Sequence, residues 1–184
     1  TSHQIFNIDK IEIPTEYNQI NKIQNNLSSS NRWRYNFIEY DLCKTNGLNK
    51  LISDISPDLI MHLAAETHVD KSIKYPKLFF DNNILATFNL LESAFTYWKN
   101  LPIDKRLDFK FHQISTDEVF GELNDKGVFN ESSPYQPRSP YSASKASADH
   151  LVKSWYTTYG FPVVITYSSN NYGPIQSPDK FIPL

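Results

Sequence analysis

The feature that most constrains this chain is an alternation of short apolar runs with longer stretches of helical periodicity. The runs are Gln4–Asp9, Tyr35–Asp41, Asp58–Ala65, Asp108–Ser115 and Pro162–Tyr167. Leu48–Ile55 reads as a helix that stops before Pro57. Pro76–Asn100 reads as the longest helix, and Pro102 follows its end. A third helix carries Tyr141 and ends near Tyr159 and Gly160. Strands alternating with helices build βαβ units, because parallel neighbours need a crossover that a helix fills. The expected class is therefore α/β: a Rossmann-like doubly wound parallel sheet flanked by helices. Asp58–Ala65 has little alternation, which predicts a strand buried on both faces. Residues 10–36 are polar and Asn-rich, which predicts a loop with a short helix over 17–27. Residues 121–140 hold two glycines and three prolines and predict a long surface excursion.

Composition enters where it excludes function classes. A length of 184 residues with 40% hydrophobic content suits one globular domain or most of one. A formal charge of -2 shows no broad footprint for nucleic acid. The single cysteine, Cys43, excludes an internal disulfide and offers no metal cluster, so no metal is expected and a reducing, cytoplasmic setting is the default. His62 and His68 have the wrong spacing for one helix face, and neither is taken as a ligand. Without a run of about 18 apolar residues, no membrane span is expected. The chain opens on Thr1 rather than Met and is expected to be a segment of something longer.

In open parallel sheets, ligands sit beyond the carboxyl ends of the strands. That makes the run ends the candidate site. Asp9, followed by Lys10, could take the hydroxyls of an adenosine ribose, or be a solvated strand-end carboxylate. Asp41 and Leu42 could meet an adenine edge, or form a turn. Leu63, Ala64 and Ala65 are small enough at their centre for a cofactor to approach closely, or are ordinary core residues. Asp117 and Glu118 are adjacent carboxylates, so one is expected to hold a proton. An acid beside a base is what an elimination needs. The alternative is that Ser115, Thr116 and Asp117 simply cap a turn. Thr116 offers a neutral donor next to Tyr141. Tyr141 and Lys145 lie four apart on one helix face. The ammonium is expected to favour the phenolate and lower the phenol from its usual value of about 10. Such a pair also arises by chance on solvated helices.

These segments together carry a resemblance. Tyr141-Ser-Ala-Ser-Lys145 resembles the Tyr-x-x-x-Lys signature of the extended short-chain dehydrogenase/reductase family. His62-Leu-Ala-Ala-Glu-Thr-His-Val-Asp70, Ser115-Thr-Asp-Glu-Val-Phe-Gly121 and Ser169-Asn-Asn-Tyr-Gly-Pro174 are similar to segments of its dTDP-glucose 4,6-dehydratase branch. The likeness runs from Asp9 to Leu184. It implies an NAD-dependent dehydration of a nucleoside diphosphate glucose to the 4-keto-6-deoxy sugar, a step in rhamnose-type deoxysugar synthesis. In that scheme Tyr141, assisted by Lys145, takes the proton of the sugar 4-hydroxyl while hydride passes to NAD. Glu118 then removes the C5 proton, Asp117 protonates the departing 6-hydroxyl, and hydride returns to C6. Thr116 holds the 4-oxygen.

By the same resemblance, Asp9, Lys10, Asp41 and Leu42 contact the adenosine half of NAD. Leu63, Ala64, Ala65 and Asn82 line its path, Tyr141 and Lys145 adjoin it, and Asn171 lies near the nicotinamide. Thr67 and Asn170 face the sugar nucleotide. Phe120 stands where the family more often has Tyr, and Ser168-Ser169 where a Cys-Ser pair is expected. The glycine-rich phosphate turn should precede residue 1. Residues 1–184 would then be a partial NAD-binding domain truncated at both ends, with 168–184 leading into a substrate domain. This segment alone is expected to be inactive. A homodimer through helices 76–100 and 142–159 is also implied, with Phe88, Phe95, Trp98 and Trp155 as excess apolar residues. The substrate could be dTDP- or UDP-glucose. The competing readings are a sugar-nucleotide epimerase or decarboxylase, whose relatives lack the acid pair at 117–118, and a non-catalytic NAD-binding scaffold.

Overall fold

The computed structural model describes residues 3–11, 14–123, 127–173 and 176. The chain divides into two compact units, residues 1–41 with 170–184, and residues 42–169.

The smaller unit is one βαβ turn. Strand β1 (Ile5–Asp9) and strand β2 (Tyr35–Glu39) pair in parallel from Ile5 with Tyr35 to Asp9 with Glu39. Helix α1 (Pro14–Asn26) is the crossover and starts three residues earlier than expected. The Asn7 amide donates to the Tyr35 hydroxyl across the pair at 2.9 Å.

The larger unit holds a three-stranded parallel sheet. Its strands are β3 (Leu59–His62), β4 (Lys110–Thr116) and β5 (Val163–Ser168), with β4 in the middle. Helix α2 (Leu48–Ile55) has the predicted limits, because Pro57 cannot continue it. The 76–100 stretch is helical throughout but not one α-helix. Helix α4 (Pro76–Phe79) leads into a π-helical segment (Phe80–Leu85) and then α5 (Ala86–Lys99). Two short helices, α3 (Val69–Lys74) and α6 (Ile103–Asp108), were not foreseen.

Helix α7 (Pro140–Tyr159) is the longest. Ser139 caps it by accepting from the Ser142 N–H, and the Ser142 side chain reaches back to the cap. Pro140 sits where the missing N–H costs nothing, and Gly160 closes the helix at φ 66°. The excursion between β4 and α7 is anchored by the Gln136 N–H donating to the Val119 carbonyl at 2.9 Å. Gly121 passes close beneath it: a Cβ there would stand 2.6 Å from the Gln136 oxygen, and its φ of +92° is left-handed.

The core is aromatic. Phe79, Phe109, Phe111 and Phe161 are fully buried with Leu48, Leu91 and Val152. Phe161 meets Phe95, Trp98, Phe109 and Phe111 at ring separations of 5.6–5.8 Å. Phe95 and Trp98 are thus committed within the unit, and the Trp98 indole donates to the Arg106 carbonyl. Trp155 is buried and packs edge-on against Phe88. Of the four aromatic residues expected at a helix interface, Phe88 keeps the clearest solvent exposure, 40%.

Strand β3 corrects the expectation of two-sided burial. His62 is buried, while Leu59 and Met61 are 51% and 49% exposed. The two-residue period sends them to opposite faces. The face carrying His62, Phe111, Gln113 and Ser115 is the better covered one within this unit.

Candidate active site

The carboxyl end of β4 faces the first half of α7, and the two are tied together residue by residue. Thr116 lies beside Tyr141. The Ser115 hydroxyl donates to the Asp149 carboxylate at 2.5 Å. The Lys145 ammonium donates to the Ile114 carbonyl at 2.6 Å. Tyr141, Lys145 and Asp149 are spaced by four along α7, so one helical stripe meets three successive residues of one strand.

Beyond Thr116 the chain tightens into a 3₁₀ turn, Asp117–Phe120. Thr116 caps it by accepting from the Glu118 N–H at 3.2 Å, and its hydroxyl lies 3.3 Å from an Asp117 oxygen. The capping reading and the functional reading of this segment therefore coexist in the same residues. Phe120 turns away, into a cluster with Phe129, Tyr135 and Tyr167.

The electrostatics correct one expectation. Burial pushes the Tyr141 phenol up to about 12; the neighbouring Thr116 hydroxyl opposes this, and the Glu118 and Asp117 charges add to it. The adjacent lysine does not win at this site. Its ammonium bonds the Ile114 carbonyl, and burial draws Lys145 below the usual lysine range against the favourable charge of Asp149. Among the described residues that carbonyl is its one hydrogen-bond partner, so two of its three protons can serve a ligand.

The other anticipated residues fall in both units. In the larger one, Ala64 and Ala65 follow β3 with Thr67 exposed beyond them. The Leu42 carbonyl accepts from Asn89 at 2.9 Å. Asn82 lies in the π-helical segment, where its amide donates to the Leu78 carbonyl at 2.9 Å. In the smaller unit, Asp9 ends β1 and its carboxylate accepts the Lys10 N–H at 2.9 Å. Asp41 raises Tyr40 by its charge, after burial. Asn170 and Asn171 belong to that unit too, and the Asn171 carbonyl accepts from Gln176 at 3.1 Å. Pro174 lies outside the described residues.

Two residues that matter to this geometry escaped the reading of the sequence. Asn83, the neighbour of Asn82, is 1% exposed. Its amide donates to the Glu66 carbonyl (3.0 Å) and to the Ser144 hydroxyl (2.8 Å), and its oxygen accepts the Glu66 N–H (2.8 Å). It thereby pins the loop after β3 to α7. The available signal was a second polar pair at helical spacing, Asn83 and Thr87, on an otherwise apolar face. Thr87 donates to the Asn83 carbonyl at 2.7 Å and lies 2.9 Å from His62 Nε2. His62 must then donate from Nε2, and burial holds it neutral, down to about 3, with Lys145 adding to the shift. The second missed residue is Asp149.

The parts present suit a dinucleotide. Within the larger unit, small residues follow β3 and a buried ammonium has protons to spare. Comparison with known proteins agrees. Residues 1–183 match the family described as GDP-mannose 4,6 dehydratase. A dTDP-glucose 4,6-dehydratase of Haemophilus influenzae is 46% identical over 185 residues, covering 100% of this chain and 53% of that protein. One from Neisseria meningitidis serogroup B is 45% identical, covering 100% and 50%. The crystal structure of dTDP-glucose 4,6-dehydratase from Bacillus anthracis in complex with NAD superposes at a TM-score of 0.79 with 36% identity, covering 99% of this chain and 51% of that one. The chain thus spans about half the length of the relatives it matches. It belongs to the GDP-mannose 4,6-dehydratase family, on a Rossmann-like fold.

Proposed function

We propose that the intact protein is an NAD-dependent nucleoside diphosphate glucose 4,6-dehydratase, with dTDP-glucose as its substrate and the 4-keto-6-deoxy sugar as its product. The observation that carries this reading is the Thr116-Asp117-Glu118 turn, which lies beside Tyr141 at the carboxyl end of a parallel strand. The names of the relatives support the substrate class and NAD.

Asp9, Lys10, Asp41, Leu42, Leu63, Ala64, Ala65, Asn82 and Asn171 would hold NAD, with Lys145 and Tyr141 at its reacting end. When bound, NAD would supply the hydride acceptor and donor, and its oxidised ring carries positive charge. Tyr141 takes the proton of the 4-hydroxyl and Thr116 hydrogen-bonds the 4-oxygen. In the isolated structure Tyr141 is a protonated phenol at neutral pH, so it becomes a base only as positive charge gathers around it. Lys145 contributes part of that charge. The ketone formed at C4 acidifies the proton at C5. Glu118 removes that proton, and Asp117 protonates the departing 6-hydroxyl. Thr67 and Asn170 contact the sugar nucleotide. A homodimer through α4–α5 and α7, with Phe88 at its edge, and a cytoplasmic setting complete the proposal.

A 4-epimerase would leave Asp117 and Glu118 without a role. Supplying dTDP-glucose to the intact protein separates the two. A 4-keto-6-deoxy sugar, recognised by its carbonyl absorbance in alkali, supports the dehydratase. A 4-epimer, or no product, refutes it.

A further inference from the structure

Asp149 is a buried carboxylate to which the mechanism above gives no task. It is 0% exposed. One oxygen accepts from the Ser115 hydroxyl at 2.5 Å and from the Tyr135 hydroxyl at 3.0 Å. The other is buried with no hydrogen-bond partner among the described residues. A carboxylate left half-satisfied in a dry interior is costly, and a Leu or Asn of similar size would fill the space more cheaply.

Its connections point in one direction. Ser115 lies between Ile114, whose carbonyl receives Lys145, and Thr116, which adjoins Tyr141. Asp149 therefore holds the middle residue of the three that face the Tyr141–Lys145 stripe. Through Tyr135 it also reaches the excursion and β5, because the Tyr135 and Tyr167 hydroxyls lie 2.6 Å apart. Every charged or titratable group around it bears on the question. Burial draws the Asp149 carboxyl above its ordinary range; the Ser115 and Tyr135 hydrogen bonds and then the Lys145 and Lys153 charges of α7 oppose this, and Lys153 donates to the Tyr135 hydroxyl at 3.0 Å. Tyr141 of α7 is raised by it, as it is by Asp117 and Glu118. His150 packs against Tyr135 with the rings tilted, and neutral His62 of β3 feels the Lys145 charge.

We propose that Asp149 is a positioning residue for the Tyr141–Lys145 pair: its carboxylate fixes Ser115, hence the strand end that presents Thr116 to Tyr141, and provides the counter-charge to the buried Lys145 ammonium. This rests on the dehydratase reading, because the pair matters only if an alcohol is oxidised there.

The test is Asp149→Asn in the intact protein, read by the pH profile of kcat. Asparagine keeps the shape and removes the charge. Since Asp149 raises both Tyr141 and Lys145, its loss lowers both. Both limbs of the profile should move to lower pH by about one unit. The kcat should fall about tenfold or more through misplacement, with KM for the sugar nucleotide little changed. Asp149→Glu should return the limbs toward wild type. A ¹³Cε NMR titration of Lys145, assigned by its absence from Lys145→Met, should show the same acid shift without any turnover. Limbs and lysine titration both unmoved would overturn the proposal, whatever happens to kcat, because a purely structural role predicts that result. If Asp149→Asn does not fold, Ser115→Ala decides: a lowered kcat that Ser115→Thr, which keeps the hydroxyl, restores supports the proposal, and a wild-type kcat or no rescue by Ser115→Thr overturns it. If the wild-type protein forms no 4-keto sugar, the dehydratase reading fails instead, and the lysine titration still judges Asp149.

Discussion

Asn83→Ala should unlatch the loop after β3 from the helix that carries Tyr141. The side chain makes three hydrogen bonds of 2.8–3.0 Å from a position 1% exposed. Each bond contributes about 0.5–1.5 kcal/mol net, and more where a buried partner is left alone. Ser144 keeps its bond to the Tyr141 carbonyl at 2.6 Å, so its loss is the mildest. The Glu66 N–H and carbonyl each lose an amide bond that no nearby side chain replaces. The sum is about 3 kcal/mol, or roughly a 1 M fall in urea midpoint at a slope of about 2–3 kcal/mol/M. Urea unfolding of the intact protein, followed by tyrosine and tryptophan fluorescence, reads it. Asn82→Ala is the matched control. Its amide donates within its own helical segment, to Leu78, so its loss should cost under about 1 kcal/mol. A loss below about 0.5 kcal/mol for Asn83→Ala, or equal losses for the two variants, would refute the latch.

Two further outcomes follow from the same geometry. His62 sits at about 3 folded against an ordinary 6.5, so the unfolded chain takes up its proton first. Its contribution is complete above pH 6.5 and is lost as pH falls toward 3; at pH 5.5 the loss is about 1.4 kcal/mol. Urea midpoints at pH 7.5 and 5.5 check this, and His62→Gln should narrow the gap between them. Gly121→Ala places a methyl 2.6 Å from the Gln136 oxygen at a left-handed φ, so the excursion must shift. A loss of about 2 kcal/mol or more is expected on unfolding in urea; a neutral effect would show that the excursion yields freely.

Helix α7 was legible because its signals are local: Ser139 and Pro140 mark its start, and Gly160 its end. Helix α2 was legible for the same reason. Helices α3 and α6, six residues each, are too short for periodicity to announce. The π-helical segment depends on how the helix path meets α7, which no spacing encodes. Strand β3 was misread because an apolar run states what a strand can bury, and not which faces are covered in this unit.

The site divides along the same line. Tyr141, Lys145 and the Thr116-Asp117-Glu118 turn were visible as residue types at fixed spacings. Asn83 and Asp149 were not, because burial is set by the fold and their partners lie 17 to 61 and 14 to 34 residues away in sequence. The direction of the Tyr141 shift was missed for that reason. A lysine four residues on is a local signal, whereas desolvation is not.

The central claim is that one end of β4 joins a redox pair to an elimination pair. The most direct measurement is the rate at which the intact protein forms 4-keto-6-deoxy sugar from dTDP-glucose, compared with its Glu118→Gln variant. Turnover by the wild type and a loss of about 10²-fold or more in the folded variant are predicted. Undiminished turnover by Glu118→Gln, or a wild-type protein that returns only the 4-epimer, would contradict it.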